Sequence, residues 1–68
     1  MSSILSSTQA GVRLLTLNRP DKFNSFNREM ALLLQKELDA AAADKSVRAV
    51  LITGEGKAFC AGQDLAEA

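Results

Sequence analysis

The sequence predicts an α/β unit made of a β-hairpin, a helix, a buried strand and the start of a second helix. Three observations carry that reading. Two short β-prone runs are split by Ala10-Gly11, a long stretch of strong helix formers follows Asn27, and residues 47–53 (VRAVLIT) are apolar almost throughout.

The elements follow in order. Residues 4–9 form a short strand, Ala10-Gly11 a turn, and residues 12–18 (VRLLTLN) a second strand in which only Arg13 breaks the aliphatic and β-branched run. Two such runs around a glycine-containing turn make a hairpin. Pro20 ends the second strand, because proline has no N–H to give to a ladder. Residues 19–27 (RPDKFNSFN) carry turn chemistry and three polar side chains able to cap a helix. Asn27 is the preferred N-cap, with Glu29 in the positively polarised first turn. From there to Ala43 the chain is rich in Ala, Leu, Glu, Gln and Lys, all good helix formers. Met30, Leu34, Leu38 and Ala41 fall at steps of four and three, which places them on one apolar stripe. The run at 47–53 reads as a strand covered on both faces, and strand, helix and strand together predict a right-handed crossover. Asp64 followed by Glu67 resembles a capping box, so a second helix starts near the last residues. Ending a domain in mid-helix is unusual and predicts a truncated or nicked chain.

Bulk properties bound the function. A chain of 68 residues is at most one small domain and marginal alone. Its 47% hydrophobic content nevertheless marks a folded chain, so part of its core is expected to come from further protein. Cys60 is the only cysteine and histidine is absent, which excludes a disulfide scaffold and the common zinc sites, so no metal is expected. Eight basic residues balance eight acidic ones, and bulk electrostatics gives no support to nucleic-acid binding. No apolar run approaches the roughly 20 residues that cross a bilayer, and the opening MSSILSSTQ lacks the basic and apolar regions of a secretory signal. One free thiol suits a reducing compartment, so a soluble cytoplasmic protein without a membrane partner is expected.

Glycine-rich motifs were weighed in the segment around Gly54, Gly56 and Lys57. A Walker loop needs glycine where Leu51 stands and Ser or Thr where Ala58 stands, and a dinucleotide fingerprint needs glycine at Phe59. Both fail, which leaves a strand-to-loop turn. Cys60 has no histidine to activate it and reads as a small buried hydrophobe. Arg19, Lys22 and Arg28 form a local basic cluster, which on its own reads as a solvated face. At Ala61-Gly62-Gln63-Asp64, small residues permit close approach of a ligand to the backbone. If Asp64 caps a helix, N–H groups beside it suit a developing negative charge.

Two stretches together resemble the crotonase superfamily. LNRPDKFNSFNREM (17–30) is similar to that family's first loop and helix, and GEGKAFCAGQDL (54–65) to its thioester-binding segment, in the expected order and at the expected distance. The resemblance spans nearly the whole chain. It implies the N-terminal part of a ββα superhelix, here a fragment of a single domain over residues 1–68. It also implies an acyl-CoA thioester as ligand, with coenzyme A part of the substrate and no separate cofactor. The Gln63 backbone N–H matches one of two oxyanion-hole donors, and the Ala61 main chain matches the contact with the CoA adenine. Asp64 and Leu65 continue the thioester-binding segment, and Lys22 and Phe23 match the loop beside the CoA nucleotide. The basic cluster then faces phosphate, with Lys57 a weaker candidate for that task. The second donor and the acid/base carboxylate of the family match nothing up to Ala68, so the chain alone is expected to be inactive. A complete enzyme, a hydratase or an isomerase, is expected to form trimers or pairs of trimers. Two other readings stand beside this one: a non-catalytic CoA-binding or assembly fragment of the same fold, and an unrelated small α/β module.

Overall fold

In the computed structural model, which describes residues 2–64, the chain forms a three-stranded sheet with one helix packed against it. β1 (Ile4–Gln9) and β2 (Val12–Leu17) pair antiparallel through the two-residue turn Ala10-Gly11, with Ile4 opposite Leu17 and Gln9 opposite Val12. A 3-10 turn at Pro20–Lys22 leads into α1 (Arg28–Ala43), and β3 (Ala49–Gly54) returns parallel to β2, giving the order β1-β2-β3. The hairpin, the helix and the β2-α1-β3 crossover are those the sequence predicts. The second helix, and Glu67 of its expected capping box with Asp64, lie outside the described residues.

Each element has a local cause. The turn is tied down by the Gly11 carbonyl, which accepts from the N–H groups of Arg48 at 2.7 Å and Ala49 at 3.3 Å, setting the register of β3 as it arrives. Asn27 caps α1 as expected, its Oδ1 accepting from the Met30 N–H at 2.8 Å. At the other end Asp44 accepts from the Ser46 N–H (2.9 Å) and hydroxyl (2.7 Å) and pairs with Arg13 at 3.2 Å. Those Ser46 bonds, and then Arg13, hold the Asp44 carboxyl below its ordinary range.

Side chains alternate across a sheet, so Ile4, Leu15 and Leu17 share the face under α1. Ile4, Leu17 and Met30 form the core, with Phe26, Leu33, Leu34 and Cys60 packed against it in part, and Leu15 and Ala41 are also buried. Leu38, expected on the covered stripe, is instead exposed. β3 departs further from expectation. Every residue from Ala49 to Thr53 is exposed, Leu51 by 57%. The physical reason is placement: α1 packs over β1 and β2, and the described residues leave the side chains of β3 exposed. The apolar run predicts the strand correctly, but its covers do not come from these residues.

Candidate functional site

The two stretches singled out in the sequence lie side by side. Residues 19–26 form a tight loop in which Phe23 and Asn24 both take left-handed backbone angles, φ 52° and 58°. Residues 54–64 fold back on themselves beyond β3. Gly54 permits that fold, since a Cβ there would lie 2.5 Å from the Phe59 carbonyl oxygen.

Backbone bonds join the two loops. The Ala61 N–H donates to the Phe23 carbonyl at 3.0 Å, the Phe26 N–H to the Gly62 carbonyl at 2.7 Å, and the Asp64 N–H to the Phe26 carbonyl at 2.7 Å. The last two constitute a parallel bridge between Phe26 and Gln63. In a parallel bridge one residue bonds to the two neighbours of its partner. Phe26 therefore engages Gly62 and Asp64, and the N–H and C=O of Gln63 itself point away from Phe26. Gly62 reaches this geometry with φ 97°, where nothing lies within 4 Å of a notional Cβ. Beside Gln63 is a depression of about 320 Å³ lined by Phe26, Asn27, Arg28, Ala31 and Gln63.

Side chains complete the link. Asn24 is 0% exposed, and its amide nitrogen donates to the carbonyls of Glu55 (2.9 Å) and Ala58 (2.8 Å) while its Oδ1 accepts from the Arg19 N–H at 2.7 Å. The Arg19 guanidinium donates to the Ser25 carbonyl at 2.6 Å and pairs with the Asp64 carboxylate at 3.1 Å, both side chains being less than one-fifth exposed.

Of the sequence-predicted site residues, Phe23, Ala61, Gln63 and Asp64 come together in this loop pair. Lys22 stands exposed on the adjoining 3-10 turn, and Phe23 is 55% exposed. Lys57 is exposed in the loop that Asn24 holds, and Leu65 lies outside the described residues. The basic cluster is not one patch, because Arg19 turns inward. Cys60 is half-buried against the core, its Sγ accepting from the Gly62 N–H at 3.4 Å. Sequence reasoning missed Asn24, and it gave Arg19 a phosphate-facing place in the basic cluster in place of its inward contacts with Ser25 and Asp64. A polar residue amid turn chemistry was the only signal for Asn24. Among the described residues no helix is long and apolar enough to cross a membrane.

This arrangement has relatives. A family model described as enoyl-CoA hydratase/isomerase matches residues 12–68. The chain belongs to the enoyl-CoA hydratase/isomerase family. It is 51% identical over 65 residues to the 1,2-epoxyphenylacetyl-CoA isomerase of Escherichia coli K12, covering 96% of this chain and 25% of that protein. The wording of NSFN and FCAGQDL carries a resemblance to such a ring-epoxide isomerase. The chain is also 46% identical over 67 residues to the 2,3-dehydroadipyl-CoA hydratase of the same organism, covering 98% of this chain and 26% of the hydratase. Among solved structures, an enoyl-CoA hydratase from Mycobacterium tuberculosis H37Rv superimposes with a TM-score of 0.94 at 38% identity, over 97% of this chain and 29% of that one. This crotonase segment thus spans about a quarter of the length of the curated relatives it matches.

Proposed function

We propose that this chain supplies the CoA-thioester-binding part of an enoyl-CoA hydratase or isomerase, with the Gln63 backbone N–H as one of two donors to the thioester carbonyl oxygen. The observation that supports it is the Phe26–Gln63 bridge, which employs the neighbours of Gln63 and leaves its own N–H directed elsewhere. An N–H fixed on both sides by backbone bonds needs no reorganisation when charge builds up in front of it, which is what makes such donors effective.

The chemistry follows from charge. Two N–H donors polarise the thioester carbonyl and stabilise an enolate, so proton removal or water addition next to it becomes feasible. One donor contributes about 2.7–4 kcal/mol of transition-state stabilisation. In this reading the second donor and the acid/base carboxylate come from the part of the fold that this chain, about a quarter of its relatives' length, does not cover, and these 68 residues alone do not turn over substrate. Coenzyme A enters as part of the substrate, and enolate chemistry of this kind calls for no resident cofactor. In this reading Lys22, exposed beside Phe23, meets the CoA phosphates and the Ala61 main chain meets the adenine. Asp64 and Leu65 continue that binding segment. The complete enzyme is a cytoplasmic trimer or pair of trimers.

Titration of the complete polypeptide with CoA, alongside assays with 2-enoyl-CoA thioesters, tests this reading. CoA binds, Lys22→Ala weakens it several-fold and Lys22→Arg restores most of the affinity. No CoA binding and no turnover of any enoyl-CoA thioester refutes it.

A further inference from the structure

The loop that carries Gln63 is joined to residues 19–26. Backbone bonds to Phe26 fix Gly62 and Asp64. The Arg19 side chain also spans the junction. The Arg19 guanidinium donates through one nitrogen to the Ser25 carbonyl, next to Phe26, and through another to the Asp64 carboxylate, next to Gln63. Its own backbone N–H is held by the buried Asn24, which also grips the carbonyls of Glu55 and Ala58. Arg19 is therefore anchored at its main chain and at both ends of its fork. Only a planar, multidentate cation satisfies a carbonyl and a carboxylate in this way. The side chain is 16% exposed and faces protein, which removes it from any phosphate-binding patch.

We infer that Arg19 is a positioning residue for the reaction: its ion pair with Asp64 keeps the Gln63 peptide plane aimed at the thioester oxygen. This rests on the proposed role of Gln63. Without the pair the Phe26 bridge remains, but its Asp64 end loses an anchor, and the Gly62–Gln63 peptide that carries the donor N–H is held less closely from that side. A donor misplaced by about an ångström loses much of its effect, and displacements of that size cost on the order of a hundredfold in rate.

The test uses the complete polypeptide bound to a non-reactive acyl-CoA thioester labelled with 13C at its carbonyl, read by isotope-edited infrared difference spectroscopy. In the wild type the carbonyl band lies below its position in water, because the donors polarise it. Arg19→Met moves the band back toward the solution position and broadens it. The same variant lowers kcat about ten- to a hundredfold, with affinity for free CoA within about threefold. Arg19→Lys, which keeps the charge but not the fork, lies between. Asp64→Asn reproduces the Arg19→Met band, and combining the two changes adds nothing further. If Arg19→Met perturbs folding, Asp64→Asn, a near-isosteric change, carries the test. An Arg19→Met or Asp64→Asn band identical to the wild type overturns the positioning role and leaves the Gln63 assignment standing. A wild-type band unshifted from water overturns both. Equal losses in CoA affinity and kcat, with an unshifted band, identify Arg19 as a structural residue only.

Discussion

The loop pair of residues 19–26 and 54–64 and the strand β3, which runs into the second of those loops, differ in self-sufficiency. In the loops, Asn24 satisfies three backbone groups, Arg19 spans the junction, and Phe23 and Phe26 pair with Ala61, Gly62 and Asp64. β3 is the reverse. Its hydrogen bonds to β2 are made, but Val50, Leu51 and Ile52 stand exposed on both faces. The polar contacts that join the two loops are thus made among these residues, whereas the apolar cover of their scaffold is not. A site can be locally specified while the sheet supporting it depends on surface from elsewhere.

Breaking that contrast begins with the largest effect. The isolated 68-residue chain, with three consecutive apolar residues of β3 uncovered, does not unfold cooperatively as a monomer. Thermal melts followed by circular dichroism at micromolar concentration, with the oligomeric state checked by sedimentation, give a broad transition. A sharp, concentration-independent one means that the exposed strand does not limit the stability of the chain. Next is Asn24→Ala in the complete polypeptide. It leaves the part-buried carbonyls of residues 55 and 58 without their amide donor and costs about 2–4 kcal/mol in urea unfolding; a cost under about 1 kcal/mol means that the loops do not depend on this side chain.

Smaller effects sharpen the same contrast. Cys60→Ala removes a half-buried sulfur that packs on the core, costing about 1 kcal/mol or less and leaving turnover within about threefold. A thousandfold loss of activity in a folded variant assigns Cys60 a chemical role. The smallest effect is acid-dependent and sits far from the loops, at the α1 terminus. Bonds from Ser46 and the charge of Arg13 hold the Asp44 carboxyl below its ordinary value. A group with a depressed folded pKa adds stability above its unfolded pKa and loses it as pH falls through the folded value. The stability difference between wild type and Asp44→Asn therefore shrinks as pH drops below about 4. A difference that stays constant from pH 6 to pH 3 contradicts that coupling.

The same contrast separates what could be read in the sequence from what could not. The Ala10-Gly11 turn, the Asn27 cap and the helix through Ala43 depend on neighbours within a few residues, and each was legible. The presence of β3 was legible from its apolar run, but its exposure was not, because burial is decided by what packs from outside. Gln63 was reached through the resemblance of its segment to a family, with local small residues as weak support. The contacts of Asn24 and Arg19 across the loop pair left no sequence signal, since those partners lie 31, 34 and 45 residues away and ordinary side chains at such separations form no pattern. Leu38 was misjudged for a related reason: helical spacing identifies a stripe, but not how far the sheet beneath it extends.

The claim that the Gln63 amide, and not its side chain, acts on the thioester is tested most directly by comparing Gln63→Pro with Gln63→Ala in the complete polypeptide. Proline removes the N–H and alanine keeps it. Free CoA has no thioester carbonyl, so its affinity reports whether the loop survives each change. The account predicts retained CoA binding in both variants, near-normal turnover with alanine, and a loss of about 10²–10³ with proline. Full activity in the proline variant, or equal and severe losses in both, contradicts it.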